Sequence, residues 1–153
     1  MVQVYFQSAY EHILETVGTF KPESGGILLG NPINYMVQKF VFDKNGNNFS
    51  YGYDPDVDFL NEVLKREWEE NNLDFLGFIH SHPRGVEHLS GDHGDGIGDL
   101  GYIKKIFNAM PTLNKILVPI VYSNYDSKGF RIFPYFSDRT SGHKYQIARL
   151  KIV

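Results

Sequence analysis

The chain alternates strand-like and helix-like segments, and this pattern predicts a mixed α/β fold in which helices flank a central β-sheet. Short apolar runs with strand character recur along the sequence. Stretches with the 3.6-residue spacing of an amphipathic helix separate several of them. The 153 residues are 42% hydrophobic and 15% aromatic, which suffices for one sizeable core. We therefore expect a single domain over residues 1–153.

The first half of the chain begins with an alternating segment at 2–6, which predicts a strand. A capping box opens the segment 8–18, where serine and a glutamate three residues later precede an apolar helical stripe that ends at glycine. Apolar strands are expected at 27–30 and 35–42, the second followed by a turn. The aromatic segment 49–53 predicts another extended stretch.

The strongest helical signal follows Asp54, an N-cap candidate, and Pro55 occupies the first helical position, where proline is favoured. The apolar stripe of this helix is expected to pack in the core, and it comprises Val57, Leu60, Val63, Leu64 and Trp68. The charged side chains of the helix are expected to face solvent, namely Lys65, Arg66, Glu67, Glu69 and Glu70.

The second half of the chain predicts a central strand at 73–82, a helix at 99–110 and a nearly continuous apolar strand at 117–122. Residues 130–136 predict a further strand. Pro134 places that strand at a sheet edge, because proline has no N–H to give to a ladder. The expected architecture is thus a central sheet with three helices packed on it.

The composition argues against several functional classes. A formal net charge of −3 and a pI near 6.0 give no electrostatic case for nucleic-acid binding. The chain contains no cysteine, which rules out disulfides, thiolate metal sites and cysteine nucleophiles. Its N-terminus lacks the basic start and apolar run of a signal peptide, and no stretch approaches 18 apolar residues. These features predict a cytoplasmic protein that does not act at a membrane.

Two histidines close the predicted central strand. His80 and His82 flank Ser81. Side chains two apart on a strand point to the same face, roughly 6–7 Å apart at the backbone, so both imidazoles can reach one metal ion. Pro83 ends the strand, and a glycine-rich loop with several acids follows. The sequence therefore predicts a metal site at a strand tip, with Ser81 pointing away from it.

Three separated segments carry a further pattern, namely Glu23 with the glycines and apolar strand after it, the segment 76–83, and Ser90 with the acids that follow it. Together they resemble the JAMM signature of the JAB/MPN family of zinc metalloproteases. The most similar branch is that of the small prokaryotic, deubiquitinase-like JAB proteins. The resemblance implies the JAB/MPN fold, with layers like those of cytidine deaminases.

The resemblance also implies a zinc hydrolase that cleaves peptide or isopeptide bonds. His80, His82 and an aspartate would hold Zn²⁺ and leave one position for water. Glu23 would accept the proton of that water and pass it to the leaving amine. Ser90 would help to stabilise the oxyanion. Zinc lowers the pKa of a bound water from about 15.7 to about 7, which provides hydroxide at neutral pH.

The third ligand departs from the spacing of the family, in which the aspartate follows the serine by three residues. Here the third residue after Ser90 is His93. His93, Asp92 and Asp95 are alternatives, although glycines beside the two aspartates disfavour a helix there. Asp99 begins a segment with helical spacing, where the helix dipole favours an acid. We therefore expect Asp99 to be the ligand and the glycine-rich residues before it to contain an insertion.

The resemblance implies a substrate as well, namely the C-terminal tail of a ubiquitin-like protein or its conjugate. Prokaryotic relatives are associated with ubiquitin-like conjugation modules and antiphage systems. Activating-like and conjugating-like proteins are therefore expected partners. Two alternatives stay open: processing of a sulfur-carrier precursor at its Gly-Gly end, and a binding scaffold that has lost catalysis.

Overall fold

The structure is a computed structural model that describes residues 3–6, 12–13, 24–44, 47–49, 52–54, 57–82, 89–90, 98–124, 129–141 and 144–153. Its strands are β1 Gln3–Phe6, β2 Gly25–Asn31, β3 Met36–Phe42, β4 Asn47–Phe49, β5 Gly52–Asp54, β6 Asp74–His82, β7 Lys115–Leu117, β8 Ile120–Asn124, β9 Gly129–Phe133, β10 Tyr135–Asp138, β11 Tyr145–Ile147 and β12 Arg149–Ile152. The helices are α1 Val57–Asn71 and α2 Asp99–Ala109, with a 3-10 turn at Arg139–Ser141. The predicted mixed α/β class is confirmed.

One mixed sheet with β6 at its centre forms the framework of the fold. The pairing order is β11-β10-β7-β6-β2-β3-β1-β12, and β8 and β9 extend the sheet beside the last residues of β6. On one side β6 runs antiparallel to β2, and on the other it runs parallel first to β7 and then to β8. Strands β11 and β12 lie at opposite ends of the order, yet only Ala148 separates them in the chain. The sheet must therefore curl until its two ends meet.

Each face of the sheet has its own apolar core. The core beneath the two helices combines side chains of α1, α2 and the strands, among them Leu60, Val63, Ile103, Phe107, Ile27, Phe78 and Ile120. The opposite core includes Phe6, Leu28, Ile79, Val121 and Ala148, together with Ile13, which is helical. Because both faces are covered, β2 and β6 are buried along almost their whole length.

Helix α1 packs on the sheet with a narrower apolar face than predicted. Leu60 and Val63 are buried as expected, but Val57 is 50% and Trp68 57% exposed. The prediction that Val57 and Trp68 pack in the core is therefore wrong. The stripe spans more of the helix circumference than the sheet can cover, so its margin stays in solvent. Neither helix in the described part of the chain has the length and apolar character required to cross a membrane.

Glu67 of α1 is buried, although its charge predicts a solvated position. Its carboxylate pairs with Lys39 of β3 at 2.5 Å and accepts a hydrogen bond from Asn71 at 2.8 Å. Burial acts to raise the pKa of Glu67, but hydrogen bonds from Lys39 and Asn71 and the nearby positive charges together hold that pKa below its usual value. The paired charge explains why an acid faces the sheet here.

Proline interrupts two strands that were predicted to be continuous. The apolar run at 117–122 divides into β7 and β8, with Val118 and Pro119 between them. The run at 130–136 divides into β9 and β10 at Pro134. Strand β10 pairs on both sides, with β7 and β11, whereas β9 pairs only with β8 among the described strands. The predicted sheet edge therefore applies to β9 and not to β10.

Three elements predicted in the first half of the chain have different bounds in the structure or lie partly outside the described residues. Parts of the extended stretch expected at 49–53 belong to β4 and β5, which pair with each other, and residues 50–51 lie outside the described residues. Asp54 is the last residue of β5, and the described part of α1 begins at Val57. Of the helix predicted at 8–18, only His12 and Ile13 belong to the described residues, and both are helical.

Gly77 lies where β6 pairs with β7, opposite Leu117. A Cβ atom on Gly77 would overlap the carbonyl oxygen of Leu117, so Gly77→Ala must push the two strands apart. We expect the free energy of unfolding to fall by about 3 kcal/mol, the upper end for an overpacked core, as measured by urea denaturation. Lys105→Ala, on the exposed face of α2, is the control and should stay within about 0.5 kcal/mol of wild type. If Gly77→Ala unfolded at the same urea concentration as the wild type, the close pairing of β6 and β7 at this position would be contradicted.

Candidate metal centre

A shift in strand register sets the direction of the two histidines. The pairing between β2 and β6 skips Leu76. As a result Phe75 and Phe78 lie in the same core, beneath the helices, although three residues separate their positions. Strict alternation from Phe75 would direct His80 and His82 to the opposite face. The extra residue reverses the phase and turns both imidazoles toward α2, as bulges near functional sites commonly do.

His80, His82 and Asp99 converge at the tip of β6. The two histidine Nε2 atoms are 2.8 Å apart. Asp99 places Oδ1 at 2.9 Å from Nε2 of His80 and Oδ2 at 3.1 Å from Nε2 of His82. The two histidine side chains are 3% and 4% exposed and that of Asp99 is 15% exposed. Among the described residues, this is the group of histidine and acidic side chains compact enough to hold a metal ion.

Helix α2 presents Asp99 in its first turn. Gly98 precedes it with φ of 83°, a left-handed conformation that favours glycine. Burial acts to raise the pKa of Asp99, but the charge of His80 and hydrogen bonds with His80, His82 and the Ser90 N–H outweigh it and hold the pKa far below its usual range. The helix dipole favours the anion further. Asp99 is therefore ionised and can act as a metal ligand.

Ser90 and Asp99 bind each other reciprocally. The backbone N–H of Ser90 donates to Oδ2 of Asp99 at 2.8 Å, and the N–H of Asp99 donates to the Ser90 hydroxyl at 2.8 Å. The N–H of Leu100 also donates to the carbonyl of Ser90 at 3.1 Å. Leu89, the neighbour of Ser90, is buried in the core beneath the helices. Ser90 thus caps the start of α2 and orients the carboxylate.

Ser81 points away from the imidazoles, as strand alternation predicts. Its hydroxyl accepts a hydrogen bond from the N–H of Ser24 at 3.0 Å, and its own N–H donates to the carbonyl of Ser24 at 2.8 Å. Both serines are buried. This link between the start of β2 and β6 was not predicted, because it depends on pairing between segments 57 residues apart.

The three side chains fit a bound cation. Two imidazole nitrogens 2.8 Å apart can share at most one proton between them, so at least one presents its lone pair beside the carboxylate. Such a concentration of electron pairs is favourable when a cation lies between them. The ligand atoms lie a few tenths of an ångström closer than the roughly 3.3 Å edge of a tetrahedral zinc site with bonds of about 2.0–2.1 Å. A small outward movement would accommodate the ion.

The structure brings together four of the five predicted site residues: His80, His82, Asp99 and Ser90. Glu23 lies outside the described residues, and so do the alternative ligands Asp92, His93 and Asp95. The expectation that Asp99 begins a helix and approaches both histidines is met.

No protein-family model matches the chain, and no curated protein matches it. Solved structures do match. One of them is the solution structure of protein DSY2949 from Desulfitobacterium hafniense, a structural genomics target. It superposes with a TM-score of 0.69 at 12% sequence identity, over 98% of this chain and 92% of that one. At this identity the similarity establishes a shared fold.

The centre should bind one divalent ion per chain. His80→Ala and Asp99→Asn should each weaken binding by more than the roughly 10–100-fold loss typical of an outer-shell partner. Titration against a chromophoric zinc chelator measures the affinity, and elemental analysis the stoichiometry. His12→Ala and Asp58→Asn, the same changes at exposed positions, are matched controls and should bind like wild type. Unchanged affinity in Asp99→Asn would exclude Asp99 as a ligand.

Ser90→Ala removes the hydroxyl that accepts the Asp99 N–H but keeps the backbone N–H that donates to the carboxylate. We expect the free energy of unfolding to fall by about 1 kcal/mol, as for the loss of an N-cap, in urea denaturation. Zinc affinity should fall about 10-fold, since the carboxylate loses orientation. Ser90→Thr keeps a hydroxyl and should recover most of both losses. If Ser90→Ala matched wild type in both measurements, Ser90 would not orient Asp99.

Proposed function

We propose that this protein is a zinc metallopeptidase of the JAB/MPN type that cleaves after the C-terminal tail of a ubiquitin-like protein. The observation that carries the proposal is the convergence of two histidine Nε2 atoms and one carboxylate within 3.1 Å at a strand tip. Three protein ligands leave one tetrahedral position open, which is typical of catalytic zinc and not of structural zinc.

The donor set favours zinc within this proposal. Zinc readily accepts a donor set of two imidazole nitrogens and a carboxylate oxygen, and the chain has no cysteine for a structural thiolate site. Non-haem iron oxygenases use a similar set with more open positions. Elemental analysis of the purified protein therefore separates a hydrolase from an oxygenase. Bound zinc supplies Lewis acidity toward the scissile carbonyl and lowers the pKa of a coordinated water to about 7.

Glu23 is the proposed general base and general acid. The next residue, Ser24, is held beside Ser81 by hydrogen bonds of 2.8 and 3.0 Å. Ser81 lies between His80 and His82, so Ser24 is anchored at the end of β6 that carries the two histidines. Glu23 directly precedes this anchored residue in the chain. In this proposal its carboxylate accepts a proton at the open metal position and returns it to the leaving amine.

Ser90 is the proposed donor to the oxyanion. Its hydroxyl oxygen accepts the N–H of Asp99, which leaves the hydroxyl hydrogen to donate elsewhere. A donor held in place before the reaction stabilises developing negative charge without reorganising. In this proposal Ser90 both orients a ligand and contacts the reacting carbonyl. These two functions explain the position of a serine at the entrance to α2.

Glu23→Gln tests the function directly. The variant should keep its zinc but lose cleavage by about 10²–10⁴-fold, since Gln cannot transfer the proton. The assay compares an isopeptide-linked ubiquitin-like conjugate with a linear fusion that ends in Gly-Gly. Glu62→Gln, an exposed glutamate of α1, is the matched control and should cleave like wild type.

Each outcome of this assay assigns a function. Cleavage of the conjugate supports the deubiquitinase-like activity. Cleavage of the linear fusion alone supports processing of a sulfur-carrier precursor. A wild-type protein that binds zinc and cleaves neither substrate would overturn the peptidase and leave a binding scaffold.

A further inference from the structure

His80 needs a hydrogen-bond acceptor that its direct contacts do not supply. Its Nδ1 atom is buried and has no hydrogen-bond partner within the described residues. When Nε2 binds a metal, the proton of the neutral ring lies on Nδ1. Metal-ligating histidines almost always donate that N–H to a carboxylate, a carbonyl or a water. The surroundings of His80 should therefore contain such an acceptor.

Strand register places Asp43 in the same row as His80. The N–H of Asp43 donates to the carbonyl of Gly25 at 2.9 Å, which extends the pairing of β3 with β2 by one residue. Gly25 in turn pairs with His80. Directly opposed residues of antiparallel strands point to the same face. Asp43, Gly25 and His80 therefore form a row across three strands, on the face that carries the metal centre, and the middle residue has no side chain.

The spacing of this row suits a bridging water. The backbones of Asp43 and His80 lie two strand spacings apart, roughly 9.5 Å. Gly25, between them, has no side chain, and one water between the two side chains can donate to Asp43 and accept the Nδ1–H of His80. Asp43 is 3% exposed, so a water there would be enclosed by protein.

Burial of Asp43 also favours a role at the centre. A buried carboxylate requires hydrogen bonds or a compensating charge. Glu67, the other buried acid in the described residues, has Lys39 and Asn71 for this purpose. Asp43 has contacts of its own, and a dication two strands away and an imidazole N–H would add to the stabilisation of its charge.

We propose that Asp43 is a positioning residue of the metal centre that accepts, through one buried water above Gly25, the hydrogen bond of the His80 Nδ1–H. The inference rests on the proposed metal centre and adds to it a residue outside the ligand motif. The interaction holds His80 in the tautomer that presents Nε2 and increases the basicity of the ligand.

The test uses the full chain loaded with Co²⁺ or Zn²⁺. Asp43→Asn and Asp43→Ala should weaken the affinity for both ions by about 10–100-fold and should shift the visible absorption bands of bound Co²⁺. Glu67→Gln, which alters the other buried acid, is the matched control. It should lower thermal stability but leave the affinity and the Co²⁺ spectrum unchanged, which separates positioning from a general loss of structure.

The outcomes distinguish this inference from the metal centre itself. Wild-type affinity and spectrum in folded Asp43 variants would overturn the role of Asp43 and leave the centre intact. A wild-type protein that binds neither ion would overturn both. If the variants do not fold, ¹⁵N-histidine NMR of the zinc-loaded wild type decides. A slowly exchanging Nδ1 proton on His80 is expected, whereas exchange as fast as at exposed His12 would overturn the proposal.

Discussion

The candidate metal centre depends on the phase of a single strand. Side chains of β6 alternate between two faces, so one skipped residue exchanges the contents of both faces from that point onward. The skip at Leu76 places Phe78 in the core beneath α2 and turns His80 and His82 in the same direction. Ser81 then faces the opposite side, where it holds the start of β2. Both the direction of the two histidines and the contact of Ser81 with the start of β2 follow from this one shift.

Electrostatics and local structure act together at Asp99. A carboxylate in the first turn of a helix that accepts a hydrogen bond from the Ser90 N–H and lies beside two histidines stays ionised despite its burial. Ser90 provides one N–H to the carboxylate and one hydroxyl to the start of α2. The two imidazole nitrogens lie 2.8 Å apart, and each lies within 3.1 Å of one carboxylate oxygen. A shared cation would stabilise this donor set.

Much of the centre was predictable because it depends on local periodicity. The strand that ends in His80 and His82 and the helix that starts at Asp99 both follow from the spacing of apolar residues. The structure adds that the start of this helix lies beside the end of that strand. Glu23 stays a prediction, since it lies outside the described residues.

Other features depend on pairing between distant segments, which periodicity does not reveal. The register skip at Leu76 requires knowledge of β2. Glu67 was expected in solvent because helical spacing does not show that Lys39 of β3 lies opposite it. The edge predicted from Pro134 applies to β9 but not to β10, because the sequence does not show that β10 has two partners. Asp43 was interpreted as part of a turn, and its position in the row of His80 follows only from the pairing of three strands.

X-ray absorption spectroscopy at the zinc edge of the purified, zinc-reconstituted protein is the most direct test of the central claim. The account predicts one zinc per chain in four-coordinate geometry, with two imidazole nitrogens and oxygen ligands at about 2.0–2.1 Å. Multiple scattering from two imidazole rings would identify the histidines. A spectrum without imidazole scattering, or a protein that takes up no zinc, would contradict the claim that His80, His82 and Asp99 form a metal centre.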